Sequence, residues 1–158
     1  MPRREKPDPT VAACREVLRE CASYNLRKAA RVVTRLYDDV LQPTGLRSTQ
    51  VVVLVMLAAE GEPSMSRLAR ELLLSPSTLS RNLRPLERDG LVKVRQVGKR
   101  GKSVSLTLAG KKALHDAFPH WREAQARFTK LVGASVWAKL SQQLTKATSA
   151  AGTGSLHQ

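Results

Sequence analysis

The stretch that decides the fold is SMSRLARELLLSPSTLSRNLRPLERDGLVKVRQVGKRGKSV, residues 64–104. In its first half, leucines recur at helical spacing in two short runs, which Ser75 and Pro76 separate. In its second half, apolar and polar residues alternate as they do in strands, on both sides of a basic turn over residues 98–102. Two short helices followed by a basic hairpin predict a winged helix-turn-helix, in which one helix enters the DNA major groove. The predicted fold class is mainly α with a small β-hairpin wing.

The charge of the chain predicts a polyanionic partner. Its 158 residues contain 27 Lys and Arg against 13 Asp and Glu, a formal net charge of +14. Residues 64–104 hold ten basic and three acidic side chains, so this segment alone carries +7. Such a basic concentration indicates nucleic acid. Because aromatic residues make up only 4% of the chain, too few for the stacking platforms of single-strand binders, double-stranded DNA is the predicted partner.

Other classes of protein are disfavoured. The longest apolar run, residues 51–59, is shorter than the ~20 residues that span a bilayer, and the first ten residues contain no signal-peptide core. Two cysteines do not make a disulfide framework, so we expect a cytoplasmic protein that does not enter a membrane. Since the three histidines lack metal-ligand spacing and no catalytic motif is present, we expect no enzymatic activity, no metal and no cofactor.

A long amphipathic helix is predicted before this segment. Apolar residues at helical spacing run over residues 11–41, with Thr10 as the cap and one possible break near Tyr24. A helix of ~30 residues is ~45 Å long, more than one small domain needs for its own core. Its surplus apolar surface therefore indicates dimerisation.

The remaining elements follow from local signals. VVVLVML, residues 51–57, fits either a buried strand or a buried helix, and its flanks favour the helix. Four hydroxyl side chains are the predicted caps of later helices: Ser48, Ser66, Ser75 and Thr107. The predicted regions are a disordered arm (1–9), a dimerisation helix (10–44), a winged helix-turn-helix DNA-binding domain (45–108), C-terminal dimerisation helices (109–148) and a disordered tail (149–158).

The helix predicted over residues 75–89 has the two faces that a recognition helix needs. One face is an apolar stripe of Leu79, Leu83 and Leu86. The opposite face carries Ser77, Arg81, Arg84 and Arg88. Short hydroxyls allow close approach to the groove, and arginine forks pair with guanine or with phosphate. A merely solvated helix would also turn its charges outward, but the neighbouring helix, the Ser-Pro cap and the basic hairpin all favour DNA binding.

Roles within this face follow from position along the helix. Ser77, Thr78 and Arg81 lie near the helix start, which reaches deepest into the groove, so we expect them to contact bases. Arg84 and Arg88 are then expected on phosphates. The basic turn suits a narrow minor groove, although a solvated hairpin would look the same. The full set of predicted DNA-binding residues is Ser75, Ser77, Thr78, Ser80, Arg81, Arg84, Arg88, Lys99, Arg100 and Lys102.

Three segments resemble the MarR family of bacterial regulators: SPSTLSRNLRPLERDGLV, KRGKSVSLT and LTLAGKKAL. NLRKAARVVTRLYDDVLQPTGLRSTQ resembles that family's first helix and the entry to its second, so the similarity spans residues 14–148. It implies a winged fold, a homodimer built from the terminal helices, association with the bacterial nucleoid, and repression at pseudo-palindromic operators. One departure is at the wing tip, where members often carry an acid and an arginine. Here Val97, Gly98 and Lys99 take the place of the acid, so an Asp–Arg pair is not expected to order the wing.

The resemblance also implies a signal that releases DNA. A small aromatic effector would enter between the dimerisation helices and the winged domain, where the candidate lining is Tyr24, Arg31, Tyr37, His115, Phe118 and Trp121. Each of these side chains fits the core or an interface equally well. An architectural DNA binder without sequence preference is an alternative of another class.

A thiol-based redox sensor acting through Cys14 or Cys21 is the second alternative, because nearby arginines would stabilise a thiolate. Both cysteines also fit a role as small buried apolar residues. Their spacing places them ~10.5 Å apart in an intact helix, beyond the reach of a disulfide.

Overall fold

Seven helices and a two-stranded hairpin make up the fold of residues 8–99 and 101–154, the part of the chain that this computed structural model describes. The elements are α1 (Pro9–Glu20), α2 (Ala22–Leu41), a 3-10 turn (Gln42–Thr44), α3 (Ser48–Glu60), α4 (Met65–Glu71), α5 (Pro76–Arg88), β1 (Val92–Val97), β2 (Gly101–Leu106), α6 (Leu108–Val132) and α7 (Ala134–Gly154). The predicted class, mainly helical with a β-hairpin wing, is confirmed.

The predicted single N-terminal helix is two helices, and the break is at Cys21 rather than near Tyr24. Cys21 has extended backbone angles, φ −63° and ψ 112°. Asn25 explains the break, because its side-chain amide donates to the carbonyl oxygens of Arg19 at 3.0 Å and Cys21 at 3.1 Å. A side chain that bonds nearby backbone in this way competes with the helical ladder.

The first helix also starts earlier than the sequence predicts. Asp8, not Thr10, is the N-cap of α1, since its Oδ1 accepts from the backbone N–H of Thr10 at 2.7 Å. Pro9 is the first helical residue. Proline is tolerated there because a backbone N–H at this position would have no partner within the helix. The boundary of the predicted arm is therefore wrong by one residue, and residues 1–7 lie outside the described part of the chain.

The core of the winged domain centres on α3, which confirms VVVLVML as a helix. Val51, Val53, Leu54 and Leu57 are buried, while Val52 is half exposed. α3 contacts α2, α6 and β2, so it needs apolar residues on more than one side. That demand explains why its sequence shows no clean amphipathic pattern.

Two of the four predicted caps are corrected by contacts that a local pattern does not show. Ser64, not Ser66, caps α4, because its Oγ accepts from the N–H of Arg67 at 3.2 Å. Ser48 is the first residue of α3, not its cap. Its N–H and its Oγ both donate to Oδ1 of Asp38 at 2.7 Å, so a carboxylate on α2 satisfies the start of α3.

The caps at Ser75 and Thr107 are confirmed. Ser75 Oγ accepts from the N–H of Thr78 at 3.2 Å, and Thr107 Oγ1 accepts from the N–H of Gly110 at 3.0 Å. Both hydroxyls satisfy a backbone donor that has no partner within its helix. They therefore set the starting points of α5 and α6.

The hairpin is antiparallel, with Val92 opposite Leu106 and Val97 opposite Gly101. Its turn is shorter than predicted, because β2 begins at Gly101 and not after residue 102. The outer edge of β2 is joined to the segment before α4. Val104 N–H donates to the Pro63 carbonyl at 3.1 Å, and this pairing ties the wing to the body of the domain.

Of the two C-terminal helices, α6 has the predicted bounds and α7 is longer than predicted. α6 runs through Pro119 to Val132 and ends at Gly133, whose φ of 91° suits glycine. α7 begins at Ala134 and continues to Gly154, so the prediction of a disordered tail from residue 149 is wrong for residues 149–154. Ala150 and Ala151 favour the start of this extension, whereas the two glycines after them have low helix propensity. Residues 155–158 lie outside the described part.

Within the described residues, no single helix is long and apolar enough to cross a membrane. One bent pair, Ala22–Thr44 with Ser48–Glu60 at 75°, meets that test by length and composition only.

Candidate nucleic-acid interface

The α5 helix has the two faces that its sequence predicts. Leu79, Leu83 and Leu86 are at most 2% exposed and belong to the core. The opposite face is exposed and carries Ser77, Arg81, Arg84 and Arg88. An apolar back in the core and a hydroxylic and cationic front in solvent suit a helix that lies in a DNA groove.

A cluster of hydroxyls forms the start of α5. Ser75 Oγ lies 3.0 Å from Ser77 Oγ and 2.8 Å from Thr78 Oγ1, while it also caps the helix. Ser80 follows on the same helix and is half-buried. Ser75 therefore has a structural role whatever it contacts outside the chain, whereas Ser77 is exposed and available.

The three arginines of this face differ in their partners. Arg88 Nε donates to Oδ1 of Asp89 at 2.9 Å, and this contact raises the pKa of the guanidinium above its usual value. The side chains of Arg81 and Arg84 make no ion pair or hydrogen bond within residues 8–99 and 101–154. Two uncommitted guanidinium groups, with five N–H donors each, thus point from the exposed face of α5.

The turn between α4 and α5 sets the angle of this face. Leu73 has a φ of 52°, an uncommon value for a residue with a side chain. Leu74 N–H donates to the Ala69 carbonyl at 2.8 Å, which closes the end of α4. Pro85 in α5 cannot donate to the carbonyl of Arg81, so the ladder lacks one bond behind the arginine face.

In the described part of the wing tip, a glutamine side chain bonds the backbone of the turn. Gln96 Nε2 donates to the carbonyl oxygen of Gly98 at 3.2 Å, and Gly98 adopts a φ of 62°. Lys99 and Lys102 are exposed, and Arg100 lies outside the described residues. The sequence indicated a basic glycine turn but not Gln96, because a glutamine on a strand carries no signal of this contact.

A fourth arginine joins the site from outside α5. Arg47 precedes α3 and lines a cleft of about 340 Å³ together with Arg81 and Arg88. The sequence offered no reason to group Arg47 with Arg81, because the two residues are 34 positions apart. The only available signal was a basic residue next to a helix start, where backbone N–H groups favour anions.

The six candidate effector residues are not brought together around one cavity. Tyr37 is half-buried; its hydroxyl donates to Oε1 of Gln125 at 2.5 Å, and burial raises its pKa. Tyr24 is exposed beside Lys28, and His115 is exposed beside Asp116. Arg31, Phe118 and Trp121 are also exposed.

A cavity of about 760 Å³ lies instead among α2, α6 and α7, and of the six only Tyr37 lines it. Phe128 and Trp137 contribute an edge-to-face pair of rings, with centroids 5.1 Å apart. The rest of the lining is mainly aliphatic, including Leu26, Val33 and Leu140. An arrangement of this size and polarity suits an apolar group.

The two cysteines are free thiols. Cys14 is exposed on α1, and Cys21 is half-buried at the break between α1 and α2. Because α1 is helical as far as Glu20, the expected separation of ~10 Å along the axis still applies. Within the described part of the chain, His, Cys, Asp and Glu form no group of three that would hold a metal ion.

Known proteins share this architecture. The model of the MarR family matches residues 44–103. The chain is similar to the transcriptional regulator MosR of M. tuberculosis, whose crystal structure includes DNA. The two are 38% identical, with 87% of this chain and 100% of MosR covered and a TM-score of 0.78. No functionally curated protein shows significant sequence similarity to the chain.

Two more distant structures are similar in fold. One is CouR from Rhodococcus jostii RHA1 bound to p-coumaroyl-CoA, 24% identical over 82% of this chain and 93% of CouR, with a TM-score of 0.69. The other is a cysteine-to-serine variant of MarR from E. coli in complex with operator DNA. It is 22% identical over 83% of this chain and 96% of the variant, with a TM-score of 0.74.

Proposed function

Because the chain belongs to the MarR family of DNA-binding transcriptional regulators, we propose that it is a homodimeric repressor that binds a pseudo-palindromic operator in double-stranded DNA. The observation that carries the proposal is the exposed face of α5, which combines small hydroxyls with unpaired guanidinium groups. Side chains of this kind discriminate among bases in the major groove.

The proposed roles of the individual side chains follow from their positions on α5 and the wing. Arg81 lies one turn after Ser77, close to the helix start, and is assigned to a base edge. Arg84 and Arg88 lie further along the same face and are assigned to phosphates. Lys99, Arg100 and Lys102 are assigned to the neighbouring minor groove or its phosphates, where the negative potential attracts cations.

Exposed apolar side chains on the terminal helices support the homodimer. Val17 and Leu18 on α1 and Val136 on α7 are each more than half exposed in the single chain. Burying such surface in a second copy would be favourable. A two-fold dimer then presents its α5 helices to half-sites about 34–36 Å apart, which is one helical turn of DNA.

A small aromatic effector is the signal proposed to release the DNA. The cavity among α2, α6 and α7 supports this, because its volume of about 760 Å³ and its apolar lining suit a compact aromatic molecule. Oxidation is the alternative signal, favoured by the exposure of Cys14. Since helical geometry keeps Cys14 and Cys21 ~10 Å apart, a disulfide would have to join two chains or follow local unfolding.

The decisive experiment compares the selected operator with random duplex at fixed salt. An operator is selected from a pool of random duplexes, and the dissociation constants of wild type and Arg81→Ala are measured on both DNAs. We expect Arg81→Ala to cost about 1–3 kcal/mol on the operator and to relax the preference at one base position. An equal loss on random DNA would contradict direct readout.

The same assay separates the repressor from an architectural binder. Specific regulators bind their sites at least about 10³-fold more tightly than random DNA, whereas charge alone supplies only the nonspecific part. A wild-type ratio near one would favour the architectural alternative. Adding phenolic acids or peroxide, with Cys14→Ser and Cys21→Ser as controls, then identifies which signal releases the operator.

A further inference from the structure

A cationic cleft lies between the start of α3 and the exposed side of α5. Its volume is about 340 Å³, and it is lined by Arg47, Arg81 and Arg88, with Asp89 as the one carboxylate among the described lining residues. Three positive charges against one negative leave a net excess of two. Arg88 is paired with Asp89 and Arg47 with Asp38, which lies outside the lining, so counting Asp38 reduces the local excess to one positive charge.

Local contacts fix the backbone of Arg47 beside this cleft. Its backbone N–H donates to Oε1 of Gln50 at 2.8 Å, which fixes it to the first turn of α3. Its guanidinium lies 3.9 Å from Oδ2 of Asp38, whose other oxygen accepts both bonds from Ser48. The Arg47 side chain is nevertheless 78% exposed, so its guanidinium remains accessible from solvent.

We propose that this cleft binds one phosphate of the operator backbone and that Arg47 is a DNA-contacting residue outside the recognition helix. The proposal rests on the proposed function, in which α5 faces DNA. Arg81 belongs both to the reading face of α5 and to the cleft, so a phosphate held there lies beside the bases that α5 reads. Guanidinium groups bind phosphate through two parallel hydrogen bonds.

A contact of this kind positions the protein on the duplex. Phosphate contacts carry no sequence information of their own but fix the register and orientation of the reading helix. A phosphate bound by residues of both α3 and α5 would prevent α5 from rotating about its axis in the groove. The site is therefore expected to contribute to affinity for every duplex and to leave the order of base preferences unchanged.

The test is the salt dependence of DNA binding by the full-length protein carrying Arg47→Gln. Each phosphate contact contributes about 0.9 to the slope of log K against log salt, so removing the contact from both clefts of a dimer lowers the slope by about 1.8. Between 50 and 200 mM salt, the DNA affinity of Arg47→Gln is therefore expected to fall about 12-fold less than that of wild type. The ratio of operator to random affinity is expected to stay the same.

Two variants control for charge and folding. Arg19→Gln removes a similarly exposed arginine, 76% against 78% of the side chain, that is also ion-paired but lies on α1. Its slope is expected to match wild type. Arg47→Lys keeps the charge, and its slope is also expected to remain close to wild type. If Arg47→Gln and Arg19→Gln have equal slopes, or if Arg47→Lys lowers the slope as much as Arg47→Gln, the proposal is overturned.

A free anion is the other source of the same chemistry. The thermal midpoint of DNA-free protein is measured in phosphate and in chloride at equal ionic strength. If phosphate stabilises wild type but not Arg47→Gln, while the DNA salt slopes of the two are equal, the cleft holds a free anion and the backbone proposal fails. Failure of the proposed function would be recognised separately, because the wild-type protein would then bind operator and random DNA equally well.

Discussion

Replacing Gly110 with alanine would test how closely α6 is docked on the base of the wing. Gly110 is buried in the first turn of α6. A Cβ built on it would lie 2.0 Å from the carbonyl oxygen of Leu91 and 3.1 Å from Cδ2 of Leu106. The first distance is far inside van der Waals contact, so the backbone before β1 or the start of α6 has to move.

Two opposing effects decide the sign of the change. Alanine in place of glycine within a helix normally stabilises by about 0.5–1 kcal/mol. Overpacking a close contact typically costs about 1–3 kcal/mol. The obstructing oxygen is backbone, and it accepts from Thr107 N–H at 3.1 Å and from Thr107 Oγ1 at 3.2 Å, so it cannot swing aside like a side chain. We therefore expect the clash to win, with a net loss of about 1–2 kcal/mol.

Urea unfolding at one fixed protein concentration measures this loss, since the stability of a dimer depends on concentration. With a slope of about 2 kcal/mol/M, the midpoint of Gly110→Ala is expected to fall by about 0.5–1 M. Lys111→Gly, at the exposed neighbouring position, gives the helix-propensity effect separately. A Gly110→Ala protein as stable as wild type, or more stable, would refute the close approach of α6 to Leu91.

The remaining predictions concern the wing, a cap and a half-buried tyrosine. Lys99→Ala with Arg100→Ala should weaken binding to all duplexes and flatten the salt slope by about one unit for each phosphate that the tip no longer binds; an unchanged slope would place the tip away from phosphates. Ser75→Ala should lower the free energy of unfolding by about 1 kcal/mol, whereas Ser66→Ala, which removes no cap, should not. Because burial raises the pKa of Tyr37 in the folded chain, the unfolded chain loses this proton first, and stability should fall as pH rises above 10.0. Urea midpoints on both sides of that pH should show a smaller fall for Tyr37→Phe than for wild type.

Features set by neighbouring residues were predictable from the sequence. The leucine stripe of α5 follows from helical periodicity, and the Ser75 cap with Pro76 follows from the backbone donors that every helix start leaves unpaired. The hairpin follows from alternation around a glycine turn. In each case, the residues that cause the structure lie within one element, so their pattern appears in a short window of sequence.

Features set by distant contacts were not predictable. Asp38 replaces Ser48 as the group that satisfies the start of α3, although ten residues separate them. In the sequence, Gly110 is only a glycine that weakens a helix. The structure shows that the carbonyl oxygen of Leu91 occupies the space a side chain would need there. The cleft of Arg47 likewise exists only after α3 and α5 are packed together. Local patterns carry no information about any of these pairings.

These distant contacts explain how the terminal helices can influence the reading helix. α2 is joined to the winged domain through Asp38 and Ser48, and α6 is joined to the base of the wing through Gly110 and Leu91. Tyr37, on α2, also bonds α6 directly. A group that enters the cavity among α2, α6 and α7 and separates α2 from α6 would have to strain this bond or move one of the two junctions. In the proposed homodimer, moving only one of the two junctions would tilt α5 relative to the α5 helix of the partner. The half-site spacing would change without any contact between effector and α5, so release is expected to depend on the α2–α6 separation rather than on competition for the DNA-binding face.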